Sequence, residues 1–455
     1  MAETPHLLKN NFIGQGDRIV KHIIDYAQLY FILFLTLIIG AVFLFRYLQG
    51  NPVIFGQESY YLLSFFEQFF PVSSKVLRLG LFGLNFIISM VSIVLGYSLT
   101  RKLKWDRYLQ FFFMGFIVVS PAFMYITSSI SHFSLTLCLL LVSLFLVQSQ
   151  REIVRLGAAL PLIAIATFDA LSAFIGILTL ILFYPYSRKE RTFMVLSGGL
   201  LVVTIVLWFI TTPLTQSIIP YPIKSVSQIS SDLGSYSGVS LFLLLLSFLG
   251  LLFWDKNYWK VLAILLLVSL TFLFNPTFII FIAIIVSYLA ARGVVMIFDR
   301  KWTLEALKGF TLLLIGLGLL FSTLTYTQRL IEVSPTQEEY YALTFIKANT
   351  DENAIVFTDP NQAVYVTYFA TRTPYVLTST IQEKEAEYQA ITKAGYIGQL
   401  FPLLEQNSIS IIYITPSMKE HLGSEQGILF LLKNERFKML YSLDNTEVWL
   451  FSSSE

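Results

Sequence analysis

The sequence predicts a polytopic α-helical membrane protein that carries a C-terminal extracytoplasmic α/β domain. Hydrophobic residues make up 55% of the 455-residue chain and charged residues only 13%, a balance that is not typical of soluble globular proteins. Apolar runs of membrane-spanning length recur through residues 1–328. In residues 329–455 charges are frequent, and β-rich runs alternate with amphipathic helical runs, which is the pattern of an α/β domain.

The N-terminal region contains about eleven segments with the apolarity of transmembrane helices, since about 20 mainly apolar residues span the hydrocarbon core. The fifth and sixth are too short for two full crossings, so we expect a hairpin whose tip, at Asp169, stops short of the outer surface. The segments lie near residues 28–47, 80–99, 109–127, 132–149, 156–168, 170–186, 192–212, 239–254, 258–274, 277–298 and 309–327.

Basic residues predict the orientation of these helices. Lys and Arg cluster in alternate loops, for example at residues 101–107 and 188–191, and the positive-inside rule places such loops in the cytoplasm. The N-terminal segment before the first apolar run is polar, which argues against a cleaved signal peptide. We therefore expect a multi-pass protein of the cell membrane with a cytoplasmic N terminus. An odd number of crossings then places residues 329–455 outside the cytoplasm.

The composition also argues against several classes of function. A net charge of +2 does not favour binding through bulk positive charge, so no nucleic-acid partner is expected. The single cysteine, Cys138, lies in an apolar run, which excludes a disulfide framework and a thiolate metal cluster. The sequence contains no GxxxxGK, GxGxxG or HExxH motif, so nucleotide-driven and zinc-protease mechanisms lose their main support.

The C-terminal domain is expected to alternate helices and strands. Ser334 and Pro335, followed by Glu338, have the pattern of a capped helix start. Alternating apolar residues on both sides of Asp444 and Asn445 predict a closing β-hairpin. Between these we expect a strand at AIVFTDP, a helix at QAVYVTYFATR, a strand at PYVLT, helices at KEAEYQAI and GQLFPLLEQN, and a strand at SISIIYITP.

The first outer loop, residues 48–79, contains a candidate site. Apolar residues recur at intervals of three and four between Glu58 and Phe70, which predicts an amphipathic helix lying in the membrane interface. The carboxylate of Glu58, at the start of this helix, could be a general base or a metal ligand facing a lipid-borne substrate. The loop alone favours the alternative, a capping acid stabilised by the helix dipole. Glu67 is expected on the solvated face of the same helix.

An outer loop after the first helix, with an acid followed by aromatic residues as in GQESYYLL, resembles the first-loop motif of GT-C class membrane glycosyltransferases. This class includes protein O-mannosyltransferases, the catalytic subunit of oligosaccharyltransferase and many archaeal relatives. The stretches EEYYALTFIKANTDENAIVFTD, YFATRTPYV, LLEQNSISIIYIT and FKMLYSLDNTEVWLF resemble the extracytoplasmic domain of archaeal GT-C proteins. The resemblance covers nearly the whole chain and implies a GT-C-like fold with about eleven transmembrane helices.

The resemblance also implies roles for individual residues. Glu58 takes the place of the family's first-loop acid, which acts as base or metal ligand, with Mg or Mn as the possible metal. Gln57 stands where several relatives have a second acid, and Tyr60 and Tyr61 fall in the substrate-binding motif. The family's acidic pair after the third or fourth helix has no counterpart in YITSSISHFSLTL, where His132 is the only ionisable side chain.

His132 could coordinate a metal or hold a phosphate, or it could be an interfacial structural residue. The WWDYG signature of oligosaccharyltransferases is missing from the sequence. Transfer of an oligosaccharide to asparagine is therefore the less favoured version of the activity.

Three further residues are candidates by position. Asp169 is an acid between apolar helices, which is costly to bury and often functional. If the hairpin tip opens into an outer cavity, Asp169 could meet Glu58 and His132 around a lipid phosphate, or it could cap the following helix. Arg46 could reach lipid phosphates or a substrate phosphate. Lys224, in a Ser- and Pro-rich outer loop that could act as a lid, could contact a polyprenyl phosphate or be an ordinary solvated lysine.

The resemblance implies a membrane glycosyltransferase, acting in processes such as protein glycosylation, that uses a polyprenyl-phosphate-linked sugar. The lipid-linked donor would diffuse within the membrane and present its sugar at the outer face. There a carboxylate would deprotonate or orient the attacking group of a protein, lipid or glycan acceptor. Two alternatives stay open: a catalytically inactive GT-C relative that binds lipid or glycan or assists assembly, and a transporter of lipid-linked sugars. The sequence shows no repeated halves, which disfavours the transporter.

Overall fold

The computed structural model of the chain contains a bundle of apolar helices followed by an α/β domain. It describes residues 22, 25–70, 74–149, 151–169, 172–177, 198–199, 202, 206, 230–233, 238–252, 279–300, 302, 304–377, 381–422 and 427–452. Most of the predicted segments 170–186 and 192–212, all of 258–274 and the candidate Lys224 lie outside these residues.

Most helices of the membrane region lie in the predicted apolar segments, whereas α2 lies in the first loop and α7 in a loop between two segments. They are α1 (Ala27–Leu48), α2 (Gln57–Phe69), α3 (Ser74–Lys102), α4 (Arg107–Val119), α5 (Pro121–Ser128), α6 (His132–Val147), α7 (Glu152–Leu156), α8 (Ala159–Phe168), α9 (Leu241–Leu252), α10 (Ile279–Asp299) and α11 (Glu305–Ile331). Among the described residues, four helices are long and apolar enough to cross a membrane, namely α1, α3, α10 and α11, with a fifth span if the bent pair α4 and α5 is counted as one. The chain is therefore a membrane protein, although eleven spans are not confirmed.

The predicted segment 109–127 is two helices, α4 and α5, which meet at an angle of 58°. The break has a local cause. Pro121 lacks a backbone N–H and disfavours helical geometry at the residue before it, and Ser120 instead caps α5 by accepting a hydrogen bond from the Phe123 amide. The bend directs the C-terminal end of α5 and the segment 129–131 towards the first loop.

The C-terminal domain contains a five-stranded mixed sheet with the strand order β2-β1-β3-β5-β4. The strands are β1 (Ile355–Phe357), β2 (Thr373–Pro374), β3 (Ile409–Ile414), β4 (Phe437–Leu443) and β5 (Thr446–Phe451). β1 is parallel to β2 and β3, whereas β5 is antiparallel to β3 and β4. The prediction of an α/β domain with a closing hairpin is confirmed.

The helices of this domain are α12 (Gln337–Asn349), α13 (Ile381–Thr392), α14 (Ile397–Gln406), α15 (Pro416–Leu422) and α16 (Ile428–Leu431). The predicted helix at QAVYVTYFATR is irregular: a single α-turn is followed by a π-helical turn, Val366–Ala370, called the π-turn below. The helix start predicted at Ser334 occurs two residues later. Thr336 caps α12 because its side chain and that of Glu339 form a reciprocal capping box.

The first loop and the C-terminal domain share one apolar core. Tyr60 and Leu63 of α2, together with Ile130, pack against buried residues of the C-terminal domain. The domain's contributions include Ala342, Leu343 and Ile346 of α12 and Val364, Tyr365 and Val366 next to or within the π-turn. We call this cluster the shared core. It places α2 between the membrane region and the C-terminal domain.

Candidate active site

The start of α2 is held in place by a glycine. Gly56 has φ +83°, a conformation that L side chains rarely adopt. A Cβ atom at this position would lie 2.7 Å from the Tyr125 hydroxyl, and the Gly56 amide donates a hydrogen bond to the Ser334 carbonyl at 3.1 Å. The close approach to α5 and to the C-terminal domain sets the position of Glu58, the second residue of α2.

A polar network fixes the segment opposite Glu58. The buried Asn85 of α3 donates through Nδ2 to the carbonyls of Ile126, Thr127 and Ser129 at 3.1, 3.2 and 2.7 Å. Ser59 accepts a 2.9 Å hydrogen bond from the Ile130 amide. Because these groups are buried and satisfied, the segment between α5 and α6 is pinned to both α3 and α2.

Glu58 and His132 form one site with Ser131. The Ser131 hydroxyl donates to Oε2 of Glu58 at 2.8 Å, and the His132 backbone amide donates to Oε1 at 2.7 Å. Nδ1 of the His132 ring contacts the same Oε1 atom. The side chains of His132 and Glu58 are 20% and 16% exposed, so the pair is largely enclosed yet accessible. The structure therefore brings together two residues that the sequence singled out separately.

Asp169 lies at the end of α8 and caps the next helical turn. Its carboxylate accepts hydrogen bonds from the Ser172 amide, at 3.0 Å, and from the Ser172 hydroxyl. Its charge also acts electrostatically on the His132 side chain. The alternative that Asp169 is a capping residue is observed, and the same residue contributes to the electrostatic environment of the Glu58–His132 pair.

Arg46 requires a correction, because it is 0% exposed and does not reach lipid phosphates. Its guanidinium donates to backbone carbonyls around the end of α11, where helical carbonyls lack intrahelical partners. The acceptors are Pro52, Leu330, Ile331, Val333 and Pro335, at 2.8, 3.2, 2.8, 2.8 and 2.9 Å. The guanidinium also lies over the Phe55 ring, 4.7 Å from its centroid. Arg46 thus joins α1, the first loop, α11 and the start of the C-terminal domain.

Tyr60 also differs from the role predicted for it. Its side chain is buried in the shared core, and its hydroxyl donates to the Ile54 carbonyl at 2.7 Å. It therefore packs the protein and does not face a substrate. Tyr61 is half-buried beside the shared core, and Gln57 is half-buried at the first position of α2. A substrate role for Gln57 or Tyr61 stays a prediction.

The predicted divalent metal, Mg or Mn, does not fit the residues around Glu58. Both carboxylate oxygens accept hydrogen bonds from Ser131 and His132. Within the described part of the chain, no three His, Cys, Asp or Glu side chains are grouped so that they could hold a metal ion. The cluster surrounds the carboxylate with hydrogen-bond donors rather than with further metal ligands.

Three residues that build the site, and a fourth at the end of α11, were not singled out from the sequence. Ser131, Ser59 and Asn85 build the hydrogen-bonded surroundings of Glu58. Only Asn85 left a signal in the sequence, because it is a polar residue within an apolar run. The fourth is Arg329, in the last turn of α11. Its Nη2 donates to the Asp232 carbonyl at 3.1 Å, whereas its buried Nη1 has no hydrogen-bond partner among the described residues.

The helices and the C-terminal domain together are similar to structures of an oligosaccharyltransferase from Archaeoglobus fulgidus. Its apo form aligns with a TM-score of 0.54 and 14% sequence identity over 94% of this chain and 74% of that chain. The chain therefore shares the fold of this oligosaccharyltransferase. A second structure, tethered through a disulfide bond to an acceptor peptide with the NVT sequon, aligns with a TM-score of 0.52 and 12% identity over the same shares. The predicted resemblance is thereby confirmed for the fold.

No protein-family model matches the sequence, and no curated protein matches it.

Proposed function

We propose that this protein is a membrane glycosyltransferase that transfers a sugar from a polyprenyl-phosphate-linked donor to a protein, lipid or glycan acceptor. The observation that carries the proposal is the Glu58 carboxylate, which Ser131 and His132 hold at the junction of the first loop and the membrane region. The GT-C-like fold supports sugar transfer, and the peptide-tethered oligosaccharyltransferase structure supports a protein acceptor.

Glu58 supplies the base in the proposed reaction. The acceptor hydroxyl or amide attacks the anomeric carbon of the donor, a new bond forms to that carbon, and the bond from the carbon to the phosphate oxygen breaks. The acceptor proton passes to Glu58, and the electron pair of the broken bond leaves with the phosphate. His132 and Ser131 orient the carboxylate through their hydrogen bonds, and such charge-assisted hydrogen bonds are short and directional.

A cation is needed near the departing phosphate, because negative charge develops there. Arg329 is suited to this role, since its buried Nη1 has no hydrogen-bond partner among the described residues. Lys224 of the predicted lid remains a second candidate for the same phosphate. The Asp169 carboxylate is engaged by Ser172 and acts on His132 only electrostatically, so we assign it an electrostatic role rather than proton transfer.

The proposed orientation places the C-terminal domain outside the cytoplasm and the N terminus inside it. Substrate then approaches from the outer leaflet of the membrane, where a lipid-linked donor presents its sugar. Labelling of an introduced cysteine in the C-terminal domain by a membrane-impermeant reagent tests this, with Cys138 first replaced by serine. Labelling only after permeabilisation of the cell would contradict the orientation.

The main test is transfer from a labelled polyprenyl-phosphate sugar by the purified protein in lipid nanodiscs. We expect Glu58→Gln to lower the rate about 10³-fold, within the range of general-base contributions. Glu405→Gln is the matched control, because Glu405 pairs with Arg436 on the surface of the C-terminal domain. Full activity of the Glu58→Gln protein would remove Glu58 from catalysis.

One observation favours a second function, a binding module without turnover. Both oxygens of Glu58 are occupied by partners inside the protein, as expected of a carboxylate with a purely structural role. In that case the wild-type protein binds the lipid-linked sugar in nanodiscs but transfers none of it.

A further inference from the structure

Three parts of the molecule meet at the hydroxyl of Tyr368, in the π-turn. Arg78 of α3 donates to this oxygen from Nε at 3.0 Å and from Nη2 at 2.7 Å. The hydroxyl in turn donates to Oε1 of Glu67, near the end of α2, at 2.8 Å. Glu67 is therefore not simply a solvated residue, as its position in the sequence predicted. It connects α2 to the membrane region and to the C-terminal domain at the same point.

The first turn of α2 contacts the π-turn and the residue before it. The Tyr60 ring packs edge-on against Tyr365 and Tyr368, with centroids 5.3 and 5.0 Å apart, and lies 5.0 Å from the Phe369 ring. Such aromatic pairs stabilise by more than their buried area alone. Tyr60 and Glu67, about two helical turns apart in α2, thus both lie against one short segment of the C-terminal domain.

The π-turn is itself firmly held. Arg372, which follows it, is buried and donates to the Ala370 carbonyl at 3.4 Å. The same guanidinium donates to the carbonyls of Lys347 and Thr350, at the end of α12, at 2.9 and 2.6 Å. Single π-turns occur frequently at functional sites. This one is tied to α12 and can transmit the position of the C-terminal domain to α2.

The Tyr368 hydroxyl is suited to a permanent hydrogen bond with Glu67. Burial, together with the hydrogen bond to Glu67, raises the pKa of Tyr368 to about 12. The phenol therefore stays protonated near neutral pH and can donate to the carboxylate.

We propose that Tyr368 is a positioning residue: through Glu67 and Arg78 it sets the tilt of α2, so that Glu58 at the other end stays against Ser131 and His132. The inference rests on the proposed function, because it concerns the same carboxylate. α2 is one continuous helix from Gln57 to Phe69, so movement at its end is passed to its start. Displacement of a reacting group by about 1 Å can lower a rate about 10²-fold.

The test compares two tyrosines of the C-terminal domain. Tyr368→Phe removes the hydroxyl that bonds Glu67. Tyr375→Phe removes a similar hydroxyl that donates to Glu387 at 2.6 Å within the domain. In the transfer assay we expect Tyr368→Phe to lower kcat about tenfold, with the KM for the polyprenyl-phosphate sugar unchanged, because only alignment of the base is affected. Tyr375→Phe should retain the wild-type kcat.

The network can be tested further with Glu67. Glu67→Gln should lower kcat to a similar degree, and the double variant Tyr368→Phe/Glu67→Gln should lose no more than either single variant, because the two side chains act as one unit. Additive losses, or an unchanged kcat in Tyr368→Phe, would overturn the positioning role.

A second measurement does not depend on turnover. In amide hydrogen exchange of the full-length protein in nanodiscs, Tyr368→Phe should speed exchange in residues 57–63, whereas Tyr375→Phe should not. If the wild-type protein transfers no sugar, the proposed function is wrong, and the exchange data still decide whether the C-terminal domain holds α2. Unchanged exchange in Tyr368→Phe would show that it does not.

Discussion

The two ends of α2 carry the same kind of residue in different surroundings. Glu58, at the start, accepts hydrogen bonds from the segment between α5 and α6 in the membrane region. Glu67, near the end, accepts one from Tyr368 of the C-terminal domain. The partners, rather than residue type or helical position, distinguish a candidate base from a positioning residue. One short helix thereby contacts both the proposed catalytic site in the membrane region and the C-terminal domain.

The largest expected effect separates these two acids directly. Glu58→Gln should lower the transfer rate about 10³-fold, because it removes the proton acceptor, whereas Glu67→Gln should lower it only about tenfold by loosening α2. Both rates are measured with the labelled polyprenyl-phosphate sugar. Equal losses in the two variants would mean that Glu58, like Glu67, only holds the structure.

His132 provides the next largest effect. His132→Ala should lower the rate about 10²-fold, because Glu58 loses the ring contact that orients it. His132→Asn should recover most of this loss, since its amide N–H can donate to the Glu58 oxygen that Nδ1 now contacts. Single-turnover rates of the two variants measure the difference. An Asn variant as slow as the Ala variant would indicate that the imidazole itself transfers a proton.

Ser131 should give a smaller effect. Ser131→Ala removes one hydrogen bond to the Glu58 carboxylate, and a bond to a charged group contributes about 1.5–3 kcal/mol, or roughly a tenfold change in rate at the lower value. Ser128→Ala is the matched control, because the Ser128 hydroxyl donates only to backbone carbonyls of its own helix. A steady-state rate for Ser131→Ala equal to that of the control would exclude Ser131 from the site.

Removal of divalent metal should give the smallest effect. We expect the transfer rate to change less than about twofold after treatment with a chelator, since the oxygens of Glu58 are engaged by protein donors. Parallel assays with added Mg²⁺ and Mn²⁺ provide the comparison. A transfer rate that is lost on addition of the chelator and restored by metal would contradict this prediction. Glu58 would then have to exchange its present hydrogen-bond partners for a metal ion.

Much of the architecture followed from local patterns in the sequence. Continuous apolar runs predicted α1, α10 and α11, because membrane-spanning length and hydropathy are properties of a single segment. Alternating residues around Asp444 and Asn445 predicted the hairpin of β4 and β5 for the same reason. The break at Pro121 was not predicted, although the proline is present in the sequence. Residues 109–127 were assigned to one helix by their hydropathy, which does not depend on whether a helix bends.

The candidate site was predictable only in pieces. Glu58, His132 and Asp169 were each singled out as ionisable groups beside apolar segments, and their meeting was expected only if the hairpin tip opened towards the loop. Arg46 was predicted to reach lipid phosphates, because an arginine at the end of a transmembrane helix commonly extends its side chain to the membrane surface. Its carbonyl partners at residues 330–335 lie far along the chain. The sequence around Arg46 therefore gives no indication of them.

The membrane character of the chain, the α/β nature of its C-terminal domain and its candidate acids could be predicted, because these depend on composition and on neighbours within a few residues. The pairing of His132 with Glu58, the hydrogen bond from Tyr368 to Glu67 and the burial of Arg46 became visible only in the folded chain. Those contacts join residues from separate helices and domains, and they form only when packing brings the elements together.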